Sequence, residues 1–181
     1  KKRDDMALAM ARLKFDLTLH LLETFGSATA VLDATPEERE ERAELSPAVS
    51  RKLDAATLRR EADKELTFTE KYGIRVLSFD DPGFPPLLRE CPDAPSLLYV
   101  KGDIDFTDPR KWIAVVGTRR ATPYGAAACE QFIARLAETH PDAVIVSGLA
   151  YGIDSVAHRS ALKCGLKTVA VVAHGLDTIQ P

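Results

Sequence analysis

Among 181 residues there are three cysteines, two methionines and one tryptophan. Cys91, Cys129 and Cys164 are odd in number and far apart, which excludes a paired-cysteine zinc or redox motif. A reduced, cytoplasmic setting is the simple expectation. No apolar run is long enough to span a bilayer. The basic start KKRDD leads into an amphipathic segment, not a signal peptide. Charge of one sign is not in excess either. The net charge is −3, divided as −2 over residues 1–66, −2 over 67–111 and +1 over 112–181. A histone-like polycation is excluded, so any contact with nucleic acid must rest on a local basic patch.

Several motifs are missing as well. Gly117 is the only glycine of its loop, so the dinucleotide pattern G-x-G-x-x-G fails, and the stretch GTRRATPYG has no P-loop lysine. Ser147 stands where a ribose-binding acid would be. No G-x-S-x-G elbow surrounds Ser147, and no second metal-ligand spacing accompanies His158.

What is present suffices for globular folding, with 45% hydrophobic residues. Leu8, Leu13, Leu17, Leu21, Leu22 and Phe25 have helical spacing and predict one helix over residues 5–25, ended by Gly26. A short helix follows in SATAVLDA. Pro36 suits the first turn of TPEEREERAEL, and a longer helix is expected from Ser50 to about Leu66. The run EEREERAE reads as a solvated face. Residues 1–70 are therefore expected to form a small helical domain. Its stretch LETFGSATAVLDA has the look of a helix-hairpin-helix element, with no basic residue at the tip to hold DNA.

Composition then shifts. IRVLSF and SLLYVKG read as strands around a proline-rich turn. From Trp112 onward, WIAVVG, AVIVSG and KTVAVVAHG are apolar strands that alternate with two helices, the first capped by Thr122 with Pro123 behind it. This order predicts an α/β domain over residues 71–181 with right-handed crossovers and a doubly wound parallel sheet. The strands lack alternation, which predicts that both faces are covered. Such a sheet usually has further strands, so the chain is expected to be a fragment.

Two strand-to-helix loops draw attention: Gly117-Thr118-Arg119-Arg120 and Ser147-Gly148-Leu149-Ala150-Tyr151-Gly152. In an open parallel sheet, ligands sit beyond the carboxyl ends of the strands. Unpaired amides and the dipole at a helix start favour an anion there, and an arginine can add a bidentate contact to a phosphate. The competing reading is that the glycines only permit tight turns. Tyr124 and Tyr151 suit base stacking, or else pack on neighbouring helices. Asp154 and His158 share a helix face; an N-capping role for Asp154 and a structural role for His158 are expected over catalysis. His174 receives no role.

The ordered blocks PPLLRECPDAPSLLYVKGD, IAVVGTRRATPYG, VSGLAYGIDSVAHRSAL and TVAVVAHGLD resemble the DNA-processing protein A family (DprA/Smf), over roughly residues 75–181. The resemblance implies an extended Rossmann-like domain preceded by a small all-α SAM-like domain. It implies a non-enzymatic protein without cofactor or metal that binds single-stranded DNA, protects incoming strands in natural transformation and loads a RecA-type recombinase. A homodimer is implied, formed through a C-terminal part that this chain lacks. Carried over, the family signatures fall on Gly117, Thr118 and Arg119, on Ser147, Gly148, Ala150, Gly152, Ile153 and Asp154, on Ala157 and His158, and on Gly175, Leu176 and Asp177. Tyr151 stands at a position the family often fills with a basic residue, and Gln180 precedes Pro181 where the family usually has tyrosine. The expected DNA-binding set is thus Gly117, Thr118, Arg119, Arg120, Ser147, Gly148, Tyr151, Gly152 and Asp154. The alternative is a nucleotide-binding enzyme of the phosphoribohydrolase type, with Asp154 as its acid.

Overall fold

The computed structural model describes residues 1–178, and its contacts divide the chain into two compact units, Lys1–Thr107 and residues 108–178. Gln180 and Pro181 lie outside the described residues. In the first unit, helices α1 (Lys2–Met10), α2 (Phe15–Phe25), α3 (Ala28–Asp33), α4 (Pro36–Arg42), α5 (Pro47–Ser50) and α6 (Ala55–Lys71) precede a hairpin. That hairpin pairs β1 (Ile74–Ser78) antiparallel with β2 (Leu97–Lys101), with the single turn α7 (Pro86–Arg89) between them. Met6, Leu21, Val31 and Leu53 form the core, and Val76 of β1 joins it. By packing, the hairpin therefore belongs with the helices. The division expected near residue 70 follows composition, whereas the structure divides at Thr107.

The single helix expected over residues 5–25 is two. Arg12 takes φ +50 and breaks the backbone between α1 and α2, although the apolar spacing runs on across it. Gly26 ends α2 in the left-handed conformation, as its position predicted. Among the charged residues of the run EEREERAE, one is an exception to its solvated face. Arg39 is buried, and its guanidinium donates to three backbone carbonyls: Ala34 O at 2.9 and 3.1 Å, Ser50 O at 3.1 Å and Leu53 O at 3.0 Å. It ties the turn before α4 to the segment that leads into α6. Burial pulls its pKa below the ordinary arginine value.

The second unit is α/β. Its strands β3 (Trp112–Ala114), β4 (Val144–Ser147) and β5 (Lys167–Ala170) are parallel in the order β3-β4-β5, with Ile113 opposite Ile145 and Ile145 opposite Thr168. α8 (Pro123–Thr139) crosses from β3 to β4 and α9 (Ile153–Lys163) from β4 to β5. The helices pack against each other, so both crossovers lie on one face. Ile133 and Leu136 of α8, Ala157 and Ala161 of α9, and Ile145 build the core between helices and sheet. The expectation of two covered faces is met in part among the described residues: both helices lie on one face, yet Val144, which alternates with the helix-facing Ile145, is fully buried on the other. Just beyond the ends of β3 and β5, Val116 is 83% exposed and Val171 64%.

Removing Arg39 would orphan its buried acceptors, each costing on the order of 1 kcal/mol or more. Arg39→Met is expected to destabilise the first unit by about 3 kcal/mol in chemical denaturation. The exposed Arg51→Met, which loses only a bond to Pro47 O at the start of the adjoining α5, is expected to shift stability by less than about 0.5 kcal/mol. Equal effects of the two would contradict this role.

Candidate functional site

All three parallel strands end at one edge of the sheet, where open parallel sheets bind ligands. The loops after β3 and β4 meet there. Ile153 N–H donates to Thr118 O at 3.1 Å. A Cβ on Gly117 would lie 2.6 Å from Ile153 Cβ, and one on Gly152 would lie 2.1 Å from Thr118 O. Gly152 also takes φ +85. These two glycines are thus required by the contact of one loop with the other. A Cβ on Gly148 would lie 2.9 Å from Asp154 Oδ2. Leu149, at φ +59, holds a left-handed conformation that side chains disfavour, so this loop is locally strained.

The inward polar groups are tied to the scaffold. Ser147 is buried and its hydroxyl donates to Val115 O at 2.7 Å. Asp154 is buried at the second position of α9, and Gly152, not Asp154, is the N-cap. The Asp154 carboxylate accepts from Ala150 N–H at 3.4 Å, a long bond. It still serves a backbone donor, as a cap would, from inside the first turn. Ser155 N–H donates to Ala150 O at 3.1 Å. The start of α9 therefore carries its own anion, and two of its amides already have acceptors.

His158 is equally internal. Thr168 hydroxyl donates to Ile145 O at 3.0 Å, so at 2.7 Å it accepts from His158 Nδ1–H, which fixes the tautomer. Nε2 is buried without a partner among the described residues. Burial lowers the His158 pKa below 6.5, against the opposing pull of Asp154, so the ring is neutral at pH 7. The geometry is that of a structural link from α9 to β5 and β4. His174 Nδ1 lies 2.9 Å from Gly175 O.

The outward groups are different in kind. Gly117, Thr118, Arg119 and Arg120 are all exposed. Thr118 Oγ1 accepts from Arg120 N–H at 3.2 Å and shapes the turn. The Arg119 and Arg120 guanidinium groups have no ion pair among the described residues. Thr122 caps α8 by accepting from Gly125 N–H at 3.1 Å. Neither tyrosine packs its ring away: Tyr124 is 84% exposed and Tyr151 67%. The structure thus brings Gly117–Arg120, Tyr151 and the exposed Gly148 to the surface of this edge, and keeps Ser147 and Asp154 beneath it. Tyr124 stands outside the sequence-derived set. Its place in the first turn after the arginine loop is the signal for it. Among the described residues, no group of three His, Cys, Asp or Glu could hold a metal.

The chain is similar to known proteins over much of its length. The family model of DNA recombination-mediator protein A matches residues 75–181. The DNA processing protein DprA of Streptococcus pneumoniae is 46% identical over 101 residues, covering 56% of this chain and 34% of that protein. The putative DNA processing protein DprA of Mycobacterium tuberculosis is 40% identical over 139 residues, covering 68% of this chain and 35% of that protein. The chain thus spans about a third of the length of these relatives. The X-ray structure of DprA from S. pneumoniae superposes with a TM-score of 0.75 at 32% identity, covering 100% of this chain and 60% of that one.

Gly152 and Gly165 both have positive φ, yet a Cβ on Gly165 would meet nothing within 4 Å. Alanine at Gly165 carries only the backbone penalty, about 1 kcal/mol. Gly152→Ala must also push two loops apart and is expected to lower the melting temperature several degrees further than Gly165→Ala. Equal shifts in calorimetry would count against the loop contact.

Proposed function

Because the chain belongs to the DNA recombination-mediator protein A family, we propose that it binds single-stranded DNA along the carboxyl edge of its parallel sheet. The whole protein protects incoming strands and loads a RecA-type recombinase in transformation and recombination. It works in the cytoplasm, as a homodimer. The three strands belong to an extended, Rossmann-like, doubly wound sheet, and α1–α6 to a SAM-like domain. Similarity to the pneumococcal structure supports this reading of the sheet. Among the described residues no helix is long and apolar enough to cross a membrane.

One observation carries the proposal: two adjacent arginines, exposed and without ion pairs, flanked by exposed tyrosines on the edge where three strands end. Arg119 is the main phosphate contact and Arg120 the second. Gly117, Thr118 and Gly148 let the backbone of the strand come close, and Tyr151 stacks a base. Ser147, Gly152 and Asp154 act beneath them by setting the loops. Phosphate at the start of α9 itself would face the Asp154 carboxylate, so the loop after β3 carries more of the binding than the loop after β4. Contacts of this kind carry little base information, so sequence tolerance is expected. A phosphoribohydrolase reading needs an acid free in the crevice, and Asp154 is 7% exposed and engaged by Ala150.

Arg119→Ala is expected to weaken binding to oligonucleotides of any sequence. It should also reduce the slope of log affinity against log salt by roughly one unit. A salt titration with unchanged slope would remove Arg119 from the interface.

A further inference from the structure

We propose that the solvent face of α8 continues the nucleic-acid path, as a stacking track that ends on a second phosphate contact at Arg135. The inference rests on the single-strand reading above and extends it to residues outside the loops. α8 begins three residues after Arg120 and turns Ile133 and Leu136 into the core. Its opposite face carries Tyr124, Ala128, Gln131 and Arg135 at helical spacing, all exposed, with Phe132 on the flank at 52% exposure. Tyr124 and Phe132 are separated by about 12 Å along the axis, and Tyr124 and Arg135 by about 16 Å, at the 1.5 Å rise per residue of a helix. The shorter distance takes about three to four base steps of a stacked strand, at roughly 3.4 Å each.

Charge selects the occupant. Cations stand at both ends of the track, Arg119 and Arg120 before it and Arg135 at its far end, and Arg135 has no ion pair among the described residues. No acid lies between them on this face. Glu130 is on the side of the helix away from Phe132, and Glu138 comes after Arg135. Two exposed aromatic rings between cations match a chain of bases joined by phosphates. The alanines at 127 and 128 leave room for that chain to lie against the helix. The track also fits a single strand better than a duplex, whose bases are already stacked on one another.

The test compares the chain with Tyr124→Ala/Phe132→Ala, Arg135→Ala and Arg119→Ala on three probes: oligo-dT, an abasic strand of the same length, and duplex. The double aromatic variant is expected to bind oligo-dT about tenfold or more weakly and the abasic strand unchanged. Arg135→Ala is expected to weaken both single strands and lower the salt slope. Tyr124→Phe, which keeps the ring, is expected to bind like the parent. Unchanged oligo-dT binding by the double variant, with Arg119→Ala still weakened, would overturn the track and leave the loop site standing. If Arg119→Ala also binds unchanged, the DNA reading and the track fall together. A double variant that loses self-association in sedimentation but keeps oligo-dT binding would make the face a contact between copies and overturn the proposal. All replaced side chains are exposed, and equal melting curves check that each variant is folded.

Discussion

The contact between Gly117 and Ile153, and between Gly152 and Thr118, is the constraint on which the carboxyl edge of the sheet depends. Two peptide segments from different strands approach so closely that neither glycine can carry a side chain. Their approach fixes the first turn of α9, because the Ile153 amide finds its acceptor on the other loop. It also decides which way the rest of the first loop can go. With Gly117 pressed inward against Ile153, the following Thr118, Arg119 and Arg120 are displayed to solvent. A backbone requirement thus produces an electrostatic feature.

Beneath that surface, polar chemistry is consumed by the scaffold. The Ser147 hydroxyl goes to Val115 just after β3, the Asp154 carboxylate to the loop before its own helix, and the His158 ring to a threonine that is itself bonded to β4. Serine, aspartate and histidine are the residue types of a hydrolytic triad. In the fold, each is nine-tenths buried and has a structural partner. Buried polar groups are costly without such partners, which is reason enough for residue types of this kind at these positions. What remains outside is cationic, aromatic and small, the combination suited to a flexible polyanion with planar bases.

Much of the second unit was legible in the sequence. The unbroken apolar strands, Thr122 and Pro123 at the start of α8, and the glycines after β3 and β4 each act through local geometry that a sequence exposes directly. Legibility failed where distant partners decide. Arg39 sits in a run of charges, and only the carbonyls of Ser50 and Leu53, far along the chain, explain its burial. The break at Arg12 has no glycine to announce it. The hairpin β1–β2 looks like the beginning of the α/β domain because it is made of strands, yet Val76 and Leu97 pack on the helices. Asp154 has the composition of an N-cap, but Gly152 takes that place because only glycine fits against Thr118. The tyrosines were ambiguous for the same reason, since aromatic rings serve cores and surfaces alike.

The most direct measurement is an NMR titration of the chain with a short oligo-dT, following backbone amides residue by residue. The account predicts saturable shifts concentrated at Thr118, Arg119, Arg120, Tyr124 and Tyr151, with Trp112 and Lys167 at the opposite edge of the sheet unmoved. Shifts centred on that opposite edge, or none that saturate, would contradict it.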